Sequence, residues 1–133
     1  MQKITANLEE VKSMEYKNIG RHFVLKGWGF EDWIVNTEKY CGKILFFNKG
    51  KQCSWHYHKI KDETFYIQSG KIEMLYGILP DIEKARSVIL KEGDSFYIPQ
   101  GLIHRAIALQ DTFVYEFSTQ HFDSDSYRIL KGD

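Results

Sequence analysis

From His22 onward, short runs rich in apolar and aromatic residues alternate with polar turn sequences along the chain. Each run has the length of one β-strand, and within several runs apolar and polar residues alternate with the period of two that strand geometry imposes. The turns carry Gly, Pro, Asn and Asp, as in residues 48–50 and 91–94. The predicted strands span residues 22–26, 33–36, 43–48, 52–58, 64–68, 71–78, 87–91, 95–98, 106–109 and 112–117.

Many short strands with regular turns are typical of an antiparallel sandwich or barrel rather than a parallel sheet with crossover helices. The one convincing helix signal lies in residues 5–16, where Asn7 is a candidate N-cap and Glu10 follows as in a capping box. The length of 133 residues suits one domain. We predict an all-β barrel over residues 21–120, a helical or extended segment over 1–20, and a tail over 121–133 that packs on the barrel as a short helix or an extended flap.

The composition is that of a folded protein without a charge bias. Apolar residues make up 43% of the chain and aromatic residues 15%, which is too much hydrophobic surface for a disordered chain. Eighteen basic residues balance eighteen acidic ones, so no excess positive charge would attract nucleic acid or an anionic membrane. We therefore expect a small-molecule substrate as the partner, with no nucleic acid and no membrane.

The N-terminus and the cysteines predict the compartment. The polar first segment lacks the apolar stretch of a signal peptide, and no apolar run reaches the roughly 18 residues of a membrane span. Cys41 and Cys53 have no CxxC spacing, and we expect both to be reduced thiols. These features predict a cytoplasmic protein.

Three histidines and one glutamate form the candidate chemical site. His56 and His58 are two residues apart, so on a strand both side chains point to the same face. Glu63 begins the next strand, and His104 follows a turn at 99–101 that opens another strand. The two strand histidines alone would also be compatible with ordinary core or surface residues. Together, three nitrogens and one carboxylate predict a site for one divalent metal ion, with Mn, Fe, Ni, Co or Zn favoured over Ca or Mg.

These residues resemble the two metal motifs of the cupin superfamily. The first motif, G-x5-HxH-x4-E-x6-G, is matched from Gly50 to Gly70 without a change in spacing. The second, G-x5-PxG-x2-H-x3-N, is matched from Gly93 to His104, with Ala108 in place of the final Asn, which is not a ligand. The resemblance implies a single-domain jelly-roll barrel, a double-stranded β-helix, that binds one divalent metal. Four motif glycines are predicted to occupy tight turns with positive φ: Gly50, Gly70, Gly93 and Gly101.

Other residues around the motifs have structural interpretations. Trp55 and Tyr57 alternate with the histidines and should face away from the metal into packing. Phe65, Ile67 and Tyr97 are predicted to form the barrel wall. Cupin barrels often pair through an outer sheet, and an N-terminal edge strand would otherwise stay open, so we predict a homodimer.

Two shorter likenesses indicate sugar chemistry. The stretch from His56 to Glu63 has the HxHxxKxE form of cupin sugar isomerases of the D-lyxose isomerase kind. Residues 27–31 resemble the opening of the cupin domain of type II mannose-6-phosphate isomerases, and residues 116–128 are similar to its end. The resemblance implies an isomerase or epimerase that acts on a small sugar or sugar phosphate.

Such a reaction needs a carboxylate that moves a proton between C1 and C2, and a cation that steadies the enediolate charge. Glu116 is the candidate base and Lys61 the candidate cation, although a surface glutamate and a solvated turn lysine are the alternatives. Which face of residues 113–118 points inward stays open. Arg105 and Arg128 are candidates for holding a phosphate or carboxylate. His22 and His121 match no ligand position.

The fold cannot select the reaction. A non-haem iron or nickel dioxygenase would use the same four ligands in a more apolar pocket. A non-catalytic sugar-sensing or storage module would use the metal only to hold the barrel together.

Overall fold

Two antiparallel β-sheets face each other and enclose the hydrophobic core. The computed structural model describes residues 7–15, 18 and 20–133. One sheet has six strands in the order β1-β2-β3-β10-β5-β8, and the other has five in the order β11-β4-β9-β6-β7. This jelly-roll arrangement confirms the predicted all-β fold. The strands are β1 (His22–Lys26), β2 (Gly29–Asn36), β3 (Cys41–Phe47), β4 (Trp55–Tyr57), β5 (Glu63–Ser69), β6 (Lys71–Gly77), β7 (Arg86–Lys91), β8 (Ser95–Ile98), β9 (Ile103–Ala108), β10 (Thr112–Ser118) and β11 (Tyr127–Leu130).

Each predicted strand has a counterpart, and β1 and β8 have the predicted bounds. The strand predicted over 52–58 is shorter because, ahead of β4, the chain meets β9 only through an isolated bridge between Gln52 and Ile107 and a 3.1 Å hydrogen bond from the Cys53 N–H to the Ala106 carbonyl. The tail contributes a one-turn 3-10 helix, Asp123–Asp125, and then β11. β11 was missed as a strand because most of its residues are exposed and show no alternation.

The N-terminal helix α1 spans Leu8–Ser13, inside the predicted segment. The Asn7 side chain accepts a hydrogen bond from the Glu9 N–H at 3.1 Å, which is the expected capping contact. Residues 5, 6 and 16 of the prediction, and the Glu10 side chain, lie outside the described part. Within residues 7–15, 18 and 20–133, no helix is long and apolar enough to cross a membrane.

β10 lies between β3 and β5 in the six-stranded sheet, and its two faces differ sharply. Thr112, Val114 and Glu116 are buried between the sheets, whereas Phe113 and Phe117 are exposed on the outer face. The face of β10 with the carboxylate is therefore the inner one. The aromatic face points away from the core.

The structure confirms the predicted glycine turns and the burial of two of the three predicted wall residues. All four motif glycines have positive φ, and at Gly70 a Cβ would also collide with the backbone oxygen of Asp111. Trp55 is buried, and Tyr57 stacks on Tyr127. Phe65 and Ile67 are buried as predicted. Tyr97 is instead exposed, because its neighbours on β8 take the inward positions.

Candidate metal centre

Three histidines from the five-stranded sheet meet between the two sheets. His56 lies in β4 directly opposite His104 in β9, and His58 follows the end of β4. One ring nitrogen from each histidine lies within 4.8 Å of the others, so the group could hold a metal ion. The two-residue spacing of His56 and His58 therefore brings both rings to the same side, as the strand geometry predicts.

Backbone carbonyls hold the Nδ1 side of all three rings. His56 Nδ1 lies 2.8 Å from the Ser54 carbonyl, His58 Nδ1 2.9 Å from the Asp125 carbonyl, and His104 Nδ1 3.0 Å from the Leu102 carbonyl. Because a carbonyl can only accept, each Nδ1 carries the proton and each Nε2 keeps its lone pair. This is the arrangement that orients histidines as metal ligands.

The same rings are neutral near pH 7. Burial is the main cause that lowers the pKa of His56, His58 and His104 to about 3 each. Metal binding requires neutral imidazole, so no proton has to be removed before these nitrogens can coordinate.

Glu63, the fourth predicted ligand, lies on the six-stranded sheet. It begins β5, and its Oε2 lies 3.3 Å from His58 Nε2, at the edge of the histidine group. Glu63 Oε2 and His104 Nε2 are buried without a hydrogen-bond partner in the described part of the chain. Burial is the main cause that raises the pKa of Glu63, and the charge of the nearby Glu116 is the second. A buried oxygen and nitrogen without partners, beside two further lone pairs, fit a divalent transition metal.

Lys61 and Glu116 form a buried ion pair next to this site. Lys61 Nζ lies 3.1 Å from Glu116 Oε2 and 3.8 Å from Glu63 Oε2. Burial alone would lower the pKa of Lys61, but Glu116 and Glu63 outweigh it and raise the pKa above its usual value. Burial alone would raise the pKa of Glu116, but Lys61 and Lys43 outweigh it and lower the pKa. Both groups are thus charged near pH 7, and neither is the solvated surface residue of the alternative interpretation.

A second charged cluster lies on the same wall and was not found in the sequence. Lys43 Nζ lies 3.2 Å from Glu31 Oε1 and 4.1 Å from the centre of the Trp33 ring, whose Nε1 donates to Glu31 Oε1 at 2.8 Å. The lysine within the otherwise apolar run of β3 is the sequence feature that could have indicated this cluster. Its partners are brought by the pairing of β2 with β3.

His121, Arg105 and Arg128 occupy very different places. His121 Nδ1 lies 3.1 Å from Lys61 Nζ and accepts a hydrogen bond from it, so His121 supports the lysine rather than joining the histidine group. Arg105 is buried, does not line the cavity, and donates to the carbonyl of Lys131 at 2.9 Å. Arg128 is exposed and lines the cavity mouth, as does His22.

The histidine group opens into a cavity of about 600 Å³ between the sheets. This volume suits one small molecule. Its wall combines apolar residues, among them Trp28, Leu45 and Phe65, with charged ones, namely Lys61, Glu116, Glu31 and Lys43.

The depressed histidine pKa values predict acid sensitivity for protein prepared without metal. An unfolded histidine takes up a proton near pH 6.5 and a buried one only near pH 3, so stability present above pH 6.5 is lost as the pH falls through that interval. Each buried histidine lowers the free energy of unfolding by roughly 1 kcal/mol for each pH unit below 6.5, and the raised pKa of Glu63 offsets the effect of one histidine. We expect the urea concentration at the unfolding midpoint to decrease as the pH is lowered from 6.5 to 5. Few carboxylates titrate in this range.

The control for this experiment is His22→Ala, which removes an exposed histidine. It should leave the pH dependence unchanged. An unfolding midpoint of the wild type that stays constant over the interval would contradict neutral, buried histidines.

The chain matches one family model and two curated relatives. The cupin domain family, Cupin_2, matches residues 44–116, just over half of the chain. A mannose-1-phosphate guanylyltransferase of Sinorhizobium fredii is 30% identical over 82 residues, which covers 62% of this chain and 15% of that protein. The uncharacterized protein YdbB of Bacillus subtilis is 29% identical over 72 residues, which covers 54% of this chain and 57% of that protein. The chain thus spans less than two thirds of either relative.

Solved structures share the fold. The capsular polysaccharide assembling protein CapF of Staphylococcus aureus matches 91% of this chain over 34% of its own, with a TM-score of 0.73 and 19% identity. KdgF of Halomonas sp. matches 85% of this chain over 94% of its own, with a TM-score of 0.64 and 18% identity. A mutant of Bacillus subtilis oxalate decarboxylase OxdC matches 96% over 40%, with a TM-score of 0.72 and 18% identity.

Proposed function

The chain belongs to the cupin domain family, and on that premise we propose that it binds one divalent transition metal, Mn, Fe, Ni, Co or Zn, through His56, His58, Glu63 and His104. The observation that carries the proposal is the convergence of three neutral ring nitrogens beside a buried carboxylate oxygen without a partner. Each ring is already oriented by a backbone carbonyl. The donor set of three nitrogens and one oxygen suits these metals.

We further propose that the protein is a metal-dependent isomerase or epimerase of a small sugar or sugar phosphate. A bound divalent ion supplies Lewis acidity toward a substrate carbonyl. Glu116 is ionised and buried beside the site, so its carboxylate can accept a proton from one substrate carbon and return it to the next. Lys61, 3.1 Å from Glu116, would steady the negative charge that develops on the substrate oxygen.

Two observations support a sugar isomerase over a dioxygenase, which would use a more apolar pocket. The wall of the cavity carries ionic groups beside its apolar residues, with Lys43, Lys61 and Glu116 buried and Glu31 partly buried, and such groups pair with hydroxyl groups better than with apolar surfaces. Two of the proteins similar to this chain are named for a sugar phosphate and for a polysaccharide. These names add weight to the proposal without fixing a substrate.

Turnover assays test the reaction. Under nitrogen, the protein loaded with Mn²⁺ is expected to convert at least one pentose, hexose or hexose phosphate to its isomer, followed by NMR. Oxygen uptake by the Fe²⁺-loaded protein with small thiols, diketones or phenols would instead favour the dioxygenase. If neither panel is turned over but sugars bind in calorimetry, the non-catalytic binding module replaces the proposal.

We also propose a homodimer formed through the outer face of the six-stranded sheet. This face carries exposed aromatic residues, with Phe117 59% and Phe113 38% exposed, and the rings of Phe30, Phe46 and Phe113 contact one another along it. β1 lies at the edge of the same sheet. Exposed aromatic residues gathered on one face mark an interaction site, and an open edge strand favours pairing.

The double substitution Phe113→Glu and Phe117→Glu is expected to halve the molar mass measured by light scattering at micromolar concentration, because it places two charges in the apolar contact. The matched control is Ile89→Glu, which changes a residue that is 50% exposed on β7 of the other sheet. The control should stay dimeric. A wild-type monomer, or a dimer that survives the double substitution, would contradict this interface.

A cytoplasmic location is proposed as well. Cys41 and Cys53 are both free thiols, as predicted, and Cys53 is held by a 3.2 Å contact from the Ala106 N–H to its sulfur. Unpaired cysteines are typical of a reducing compartment.

A further inference from the structure

The C-terminal segment reaches the histidine site from far along the sequence. The one-turn helix Asp123–Asp125 leads into β11, which pairs with β4 beside His56. Asp125 is only 2% exposed, whereas the side chain of Asp123 is 89% exposed. A buried carboxylate needs hydrogen-bond donors that replace its lost hydration, so the donors around Asp125 indicate what it does.

The Asp125 carboxylate accepts three consecutive backbone N–H groups. Its Oδ1 accepts from Lys59 at 2.9 Å and from Ile60 at 3.0 Å, and its Oδ2 accepts from Lys61 at 2.9 Å. These amides belong to the turn that connects β4 to β5. The turn leads from His58 to Glu63, so the carboxylate of Asp125 sets the path between two proposed ligands.

The backbone of the same residue holds one of those ligands. The Asp125 carbonyl accepts from His58 Nδ1 at 2.9 Å, which leaves the Nε2 lone pair free toward His56 and His104. His56 and His104 are instead held by carbonyls only two residues away in the chain. His58 is thus the one of the three whose orientation depends on a distant segment, 67 residues away.

We propose that Asp125 is a positioning residue of the metal site. Its carboxylate shapes the turn at 59–61 and its carbonyl orients His58, so that His58 and Glu63 are held in place for one ion. The inference rests on the proposed metal site and extends it to a residue beyond the matched region, which ends at 116. Loss of a supporting partner of this kind lowers metal affinity about 10- to 100-fold.

The experiment compares Co²⁺ binding by the full chain in the wild type, Asp125→Ala and Asp125→Asn. Asp125→Ala leaves three N–H groups without their acceptor and loosens the segment that holds His58. We therefore expect the dissociation constant for Co²⁺ to rise about 10- to 100-fold and the visible absorption bands of the bound Co²⁺ to change. Asp125→Asn should have a smaller effect, because its amide oxygen can still accept. Hydrogen exchange at the amides of Lys59, Ile60 and Lys61 should accelerate in both variants.

The matched control is Asp94→Ala. Asp94 also caps a turn, accepting from the Lys91 N–H at 2.9 Å, but it lies outside the residues that line the cavity. This variant should lose some thermal stability and keep the Co²⁺ dissociation constant and spectrum of the wild type.

The outcomes separate the inference from its premise. If Asp125→Ala lowers the melting temperature as Asp94→Ala does but binds Co²⁺ like the wild type, Asp125 is only a loop cap and the inference is wrong. If Asp125→Ala does not fold, Asp125→Asn takes its place, and its melting temperature and Co²⁺ dissociation constant are interpreted in the same way. A wild-type chain that binds no Co²⁺ would overturn the proposed metal site itself, and the inference with it.

Discussion

Replacing His56 and His58 together with alanine is expected to lower the bound metal from about one ion per chain to background, measured by elemental analysis of purified protein. The two rings supply half of the proposed donor set and lie on the same side of β4. The remaining pair, Glu63 and His104, belongs to different sheets and would retain two ligands at most. Two such ligands do not hold a divalent ion through purification.

The control for the metal analysis is His22→Ala. His22 also lines the cavity, but it is exposed on β1 and does not belong to the group of three ring nitrogens. Its metal content should equal that of the wild type, and both proteins should show the same far-UV circular dichroism. Stoichiometric metal in the folded double variant would refute the assignment of the ligands.

Glu116→Gln is expected to reduce turnover about 10²- to 10⁴-fold in whichever sugar assay the wild type passes, with metal content unchanged. Glutamine has the shape of glutamate but cannot accept a proton as a base. Its amide oxygen can still accept from Lys61 and from the Ser118 hydroxyl, which now lie 3.1 and 3.0 Å from Glu116 Oε2. The fold and the metal ligands should therefore persist.

A merely structural role of Glu116 would give a different pattern. The variant would then lose stability or metal together with activity, and turnover per bound metal ion would stay at the wild-type level. Glu92→Gln, in the exposed turn before β8, is the matched control and should leave kcat unchanged. Wild-type turnover in a folded, metal-loaded Glu116→Gln variant would remove Glu116 as the base.

The residues of the proposed site are divided between the two sheets. The histidines come from the five-stranded sheet, whereas Glu63 and Glu116 come from the six-stranded sheet. Lys61, on the turn between β4 and β5, contacts both carboxylates. Substrate would therefore meet nitrogen ligands on one wall and ionic groups on the other.

The sequence was sufficient for the fold class and for the proximity of the three histidines. Strand alternation places His56 and His58 on the same side by itself, because the period of two is a local property of extended backbone. The motif turns are equally local, since Gly50, Gly70 and Gly93 adopt the positive φ that other residues rarely reach. The spacing of each motif thus encodes the geometry over a few residues.

Only the tertiary structure decided which side of β10 faces inward. Phe113 and Phe117 alternate with Val114 and Glu116, and the sequence left open which of these two faces points inward. The structure places Glu116 inside because Lys61 compensates its charge, and Lys61 comes from a turn 55 residues away. Asp125 was missed for the same reason, as its donors lie 64 to 66 residues earlier. Local spacing determines the strands, the turns and the histidine pair, whereas buried charges depend on partners that only the folded chain brings together.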